Sequence, residues 1–173
     1  GSGLSSERLV ELAALAARAE SGDPLDLALL EKAGSTVVRR IASFPFTEDR
    51  RRETAIVEEA QGERRAVLKG APETVLSRCA LTPEEAQVWL EKVHAFAEGG
   101  HKVIAVATQA LGQNADLAKE PEHGFLFSGV LAFEDPVRDG VREAVSACRD
   151  AGIRILMITG DHPATALAIA REA

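Results

Sequence analysis

The sequence predicts an α+β fold, an antiparallel sheet flanked by helices and followed by an incomplete βαβα segment. Three features carry that expectation. Leu9, Leu12, Leu15 and Ala16, then Leu25, Leu29 and Leu30, place apolar side chains along single helical faces. From Thr36 to Leu68 the chain breaks into short β-branched runs separated by turn residues, as antiparallel strands do. After Gly124 it changes to longer, nearly unbroken apolar runs on either side of a helical stretch, the pattern of parallel strands buried on both faces.

Taken in order, Gly1-Ser2-Gly3 reads as a cloning remnant, and a first helix is expected after Ser5 or Ser6, ended by Ser21-Gly22. A second opens at Asp23-Pro24, where Asp23 can cap free amides and Pro24 fits the first turn, and closes at Gly34. Residues 37–41, 54–58 and 65–68 predict strands, the last two joined by a hairpin at Gln61-Gly62. Thr82-Pro83-Glu84-Glu85 is a capping box that starts a helix running through Trp89, Val93 and Phe96 to Gly99-Gly100. A strand at 103–107 follows. Residues 125–133 and 153–158 predict parallel strands joined by a crossover helix at 137–151, and a last helix opens near Pro163. The division falls at about Glu134, giving one domain over 4–133 and part of another over 134–173.

With 173 residues, 46% hydrophobic and 27% charged, the chain has the balance of a globular protein rather than a disordered one. Its 27 acidic and 20 basic side chains give a net charge of −7, which disfavours nucleic acid or an anionic membrane surface as a partner. Cys79 and Cys148 are far apart, form no CxxC and have no histidine at ligand spacing, so neither a metal site nor a redox motif is expected. His94, His101, His123 and His162 read as surface residues. No apolar run approaches the ~20 residues that span a bilayer.

Several segments suit an anionic ligand. Thr159-Gly160-Asp161 ends a predicted parallel strand and opens a helix, where amides, a hydroxyl and a carboxylate can meet phosphate or metal; a plain capped helix start has the same residues. Lys69-Gly70-Ala71-Pro72-Glu73 joins a strand to a helix, and Lys69 there is either a ligand for an anion or purine or a solvated surface lysine. Phe46, followed by Arg50-Arg51-Arg52, is either a base-stacking platform beside cations or a core residue next to a solvated charge run. Asp135-Pro136-Val137-Arg138 is a capped helix start or a charged hinge.

The order of these segments, with Gly100-His101-Lys102-Val103-Ile104-Ala105 between the second and the last two, resembles the P-type cation-transporting ATPases over roughly Ser21 to Ala173. Thr159-Gly160-Asp161-His162-Pro163-Ala164-Thr165-Ala166 is most similar to the branch of the calcium and sodium/potassium pumps. The resemblance implies a nucleotide-binding domain followed by part of a haloacid-dehalogenase-like Rossmann phosphorylation domain. It implies ATP as ligand, with Phe46 stacking on adenine, Lys69 lining the adenine and phosphate pocket, Gly70 permitting close approach, Asp26 in a nucleotide-contacting position usually held by Glu, and Lys102 reaching the phosphates in place of the usual Arg. Asp135 and Arg138 would form the hinge. Thr159, Gly160 and Asp161 would face the γ-phosphate and Mg2+ in the full enzyme.

The family's Asp-Lys-Thr-Gly-Thr segment with its phosphorylated aspartate does not occur here, nor does the later magnesium segment. The chain is therefore expected to bind nucleotide without hydrolysing it, with no catalytic residue and no metal ligand set of its own. Implied partners are the transmembrane, actuator and remaining phosphorylation domains of a pump in the cell membrane, this part lying on the cytoplasmic side. The incomplete α/β segment is expected either to self-associate or to lack order. A free-standing phosphatase with a large cap and a non-enzymatic interaction domain are the other readings.

Overall fold

Ser5 opens the chain's first helix, its hydroxyl accepting from the Arg8 amide, and α1 spans Ser6–Ala16. The computed structural model describes residues 4–34, 38–59, 62–134, 137–159 and 163–173. α1 stops five residues before the expected Ser21-Gly22 end, because the Arg18 amide is captured by the Asp26 carboxylate at 3.0 Å instead of continuing the ladder. Arg40 closes the exposed helix end, donating to the carbonyls of Leu15 at 3.0 Å and Ala17 at 2.6 Å. A short 3₁₀ turn, Ala19–Ser21, leads to left-handed Gly22, and α2 (Pro24–Ala33) begins with Asp23 accepting from the Leu25 amide.

The first four strands are longer than expected and the fifth is one residue shorter: β1 Arg39–Phe44, β2 Arg52–Glu58, β3 Arg64–Gly70, β4 Lys102–Leu111 and β5 Leu126–Phe133. They form one five-stranded sheet in sequence order, and β1 to β4 pair antiparallel. Between β3 and β4 lie α3 (Pro72–Leu76) and α4 (Pro83–Glu98). The capping box at α4 forms as read, Thr82 and Glu85 each donating a backbone amide to the other's side chain.

Strand alternation gives the sheet two different faces. One carries Ile56, Ala66, Leu68, Ala105 and Ala107 into a core closed by Val75 and Phe125. The other carries Ala55, Val57, Val67 and Val106, all fully buried, and α1 packs against β2 and β3.

The expected parallel pairing of 125–133 with 153–158 does not form; Leu126–Phe133 supply β5 of the same sheet, next to β4. Residues 153–158 form no strand, and Leu156 and Ile158 are 77% and 95% exposed. An apolar run becomes a strand only where a neighbour takes up its amides and carbonyls, and the strand expected to pair with it is committed elsewhere. The crossover helix, α5, is Val141–Asp150, starting after left-handed Gly140 rather than at 137; α6 is Pro163–Glu172.

The chain divides into two compact units, Gly1–Leu90 with Ile104–Leu131, and Glu91–Val103 with Ala132–Ala173. Among the described residues no helix is long and apolar enough to cross a membrane. Gly1 to Gly3, Val37, Gln61, Asp135, Gly160, Asp161 and His162 lie outside the described residues.

Candidate nucleotide site

The register of the sheet brings the Phe46 loop and Lys69-Gly70 to one end of it. β1 ends with Phe44 opposite Thr54, and β2 begins with Arg52 opposite Gly70, so the loop from Pro45 to Arg51 and the exit of β3 share that end. The Ala71 amide donates to the Arg51 carbonyl at 3.0 Å and ties the two segments together.

Lys69 is neither solvated nor free. It is 8% exposed, and its ammonium donates to Asp26 Oδ1 at 2.7 Å and Glu53 Oε2 at 2.9 Å. Glu53 stands directly across the β2–β3 ladder, whereas Asp26 is delivered from the first turn of α2. Arg18 holds the other Glu53 oxygen, and the carboxylate raises the Arg18 pKa further above its ordinary value, chiefly through that hydrogen bond. Asp26 Oδ2 accepts from the Arg18 amide and from Ser21 Oγ, both at 3.0 Å. Two carboxylates and two cations thus balance each other in a nearly dry place. Such a lysine has little charge to spare for a further anion.

Gly70 is required by its neighbour strand. A Cβ there would lie 2.5 Å from the Arg51 carbonyl oxygen and 2.7 Å from Arg52 Cα. Phe46 is 51% exposed, so its ring is not a core residue. The loop that carries it contains a left-handed arginine, Arg51 at φ 51°, an uncommon conformation for a long side chain. That turn is held by the Arg51 amide on the Thr47 carbonyl at 2.7 Å as well as by the Ala71 bond.

On the opposite face a second ionic cluster forms around Glu120. Its carboxylate accepts from Arg50 Nη2 at 2.7 Å, Arg52 Nε and Nη2 at 3.1 and 2.8 Å, and Thr54 Oγ1 at 2.6 Å. Burial pushes the Glu120 carboxyl upward, but the Thr54 and Arg52 hydrogen bonds and the charges of Arg50 and Arg52 outweigh it and hold the group below its ordinary value.

Glu53, Arg18 and Glu120 were not singled out by the sequence. Glu53 had a signal, a carboxylate inside a strand that is otherwise buried; Glu120, in an irregular loop 66 residues after Thr54, had none. Lys102 and Arg138 are exposed, Lys102 at the start of β4 and Arg138 before α5, and Thr159 is exposed at the end of an irregular segment. Among the described residues no cluster of His, Cys, Asp or Glu could hold a metal ion, and Asp161, the magnesium-facing expectation, lies outside them. A cleft of about 280 Å³ lined by Leu76, Cys79, Leu81, Pro83, Ala86 and Leu90 contains none of the expected site residues.

Residues 9–140 match the family model of the P-type ATPase cytoplasmic domain N. The sodium/potassium-transporting ATPase subunit alpha-B of Artemia franciscana is 31% identical over 95% of this chain and 21% of its own length. Magnesium-transporting ATPase, P-type 1, of Salmonella typhimurium is 32% identical over 99% of the chain and 21% of its own length. Calcium-transporting ATPase 1 of Lactococcus lactis is 30% identical over 87% of the chain and 19% of its own length. The chain thus spans about a fifth of each relative, and by the match over most of its own length it belongs to the P-type ATPases, as a fragment carrying their cytoplasmic domain N.

Proposed function

We propose that residues 4–133 bind ATP at the end of the sheet where the Phe46 loop meets Lys69-Gly70, and that 134–173 are part of a haloacid-dehalogenase-like phosphorylation domain. The observation that carries the reading is the exposed Phe46 ring on a braced loop at the same sheet end as the Lys69–Asp26–Glu53 group. Phe46 stacks on adenine, and Asp26 with Lys69 forms the polar wall beside it. Gly70 serves the site by letting the Arg51 turn approach β3. Lys102 is assigned to the phosphates from its motif, and Asp135, Arg138, Thr159, Gly160 and Asp161 to the hinge and the γ-phosphate with its Mg2+ in the same way.

In the whole protein this module delivers ATP to an aspartate that this chain lacks, and the phosphorylation drives a cation across a membrane, with the module on the cytoplasmic side. The ion is left unassigned, because the relatives' names divide among sodium/potassium, magnesium and calcium. Self-association through the exposed run at 153–158 belongs to the same proposal.

Calorimetric titration with ATP tests the reading. Phe46→Ala is expected to weaken binding by about 5- to 150-fold, the range for losing one base–aromatic stack. Unchanged affinity in that variant refutes the pocket. Phosphate release from ATP by the wild-type chain would refute the claim that it binds without hydrolysis.

A further inference from the structure

Glu120 comes from the loop between β4 and β5, yet most of its bonds end on the segment that carries Phe46 into β2. Arg50 is the link. Its Nη2 pairs with Glu120 at 2.7 Å while its Nη1 donates to the Pro45 carbonyl at 3.0 Å, so one guanidinium spans the base of the loop immediately before Phe46. Arg52 and Thr54, at the start of β2, hold the same carboxylate from the sheet side. The carboxylate therefore anchors the loop's far end to the strand and, through Arg50, its near end to the same point. Phe46 itself is half exposed, so little packing orients its ring. A loop with an exposed aromatic and a left-handed arginine would sample many conformations without such a brace, and each would lower the affinity for a ligand that needs one of them.

We infer that Glu120 is a positioning residue for nucleotide binding: through Arg50 it fixes the Pro45–Arg51 loop so that the Phe46 ring is held ready to stack on a base. The inference rests on the nucleotide reading above. Glu120 touches no ligand; it acts through the loop, so its contribution must vanish when the ring it positions is absent.

The test is a double-mutant cycle with ATP and with inorganic tripolyphosphate as separate probes. Glu120→Gln keeps the shape and removes the charge. Arg50→Lys breaks the two-ended bridge while leaving Arg52 and Thr54 on Glu120, so it serves if Glu120→Gln fails to fold, which thermal melts will show. Either variant is expected to weaken ATP binding about 5- to 20-fold, within the coupling range of contacting groups, to leave tripolyphosphate binding unchanged, and to have no further effect in a Phe46→Ala background. Glu120→Asp should recover part of the loss.

Unchanged ATP affinity in folded Glu120→Gln or Arg50→Lys overturns the inference, as does a loss of equal size with and without Phe46, or an equal loss for tripolyphosphate. If Phe46→Ala alone leaves ATP binding unchanged, the nucleotide pocket itself fails, and the two failures are thereby told apart.

Discussion

Replacing Lys69 with Met keeps the aliphatic stem and removes the ammonium between Asp26 at 2.7 Å and Glu53 at 2.9 Å, whose side chains are 2% and 3% exposed. Both carboxylates then lose a cation in a place where water cannot replace it. Breaking a buried pair from one side costs about 3–5 kcal/mol, and the remaining donors, Arg18 on Glu53 and the Arg18 amide with Ser21 on Asp26, favour the lower end. In a chain of this size each kcal/mol moves the melting temperature by about 2–4 °C, so Lys69→Met is expected to melt roughly 6–20 °C below the wild type. Circular dichroism melts without nucleotide measure it. Adding Glu53→Gln to Lys69→Met should restore part of the loss, because it removes one of the orphaned charges. A drop under ~2 °C, or a further loss on adding Glu53→Gln, would refute the argument that an uncompensated buried charge is the cause. The result also governs how binding data are read, since a Lys69 variant that loses ATP affinity has done so in a weakened fold.

Gly70→Ala forces a Cβ to within 2.5 Å of the Arg51 carbonyl oxygen, a backbone atom that cannot swing away. The expected cost is about 1–3 kcal/mol, read as a lower urea midpoint at unchanged slope. Glu120 gives a pH signature: its folded pKa lies below the ordinary 4.5, so its contribution is fully present above 4.5 and disappears as the pH falls through the folded value. Wild-type urea midpoints should fall more steeply below pH 4.5 than those of Glu120→Gln; parallel curves would contradict the assignment.

Local features carried much of the sequence reading. The caps at Ser5 and Asp23 and the Thr82–Glu85 box formed where the residues stood, because a cap involves only side chains and amides within one turn. The β2–β3 hairpin followed from its turn residues, whereas the exposure of Phe46, left open between platform and core, was decided only by the structure. Strand partners were less legible. The apolar pattern of 125–133 fits a buried strand in any sheet, and nothing in it distinguishes β4 from a parallel neighbour as partner. The run at 153–158 is apolar enough for a strand, but strand formation depends on a neighbour, and hydrophobicity alone does not supply one.

By itself the sequence determined the family, the antiparallel sheet with its flanking helices, and which side chains to watch, because motif order and local periodicity are written along the chain. Tertiary structure alone decided what those side chains face. Lys69 meets Glu53 from 16 residues away and Asp26 from 43, and Arg50 meets Glu120 across 70. Long-range pairing of this kind is set by strand register and loop path, and a sequence of charged residues does not state which opposite charge will be buried beside each.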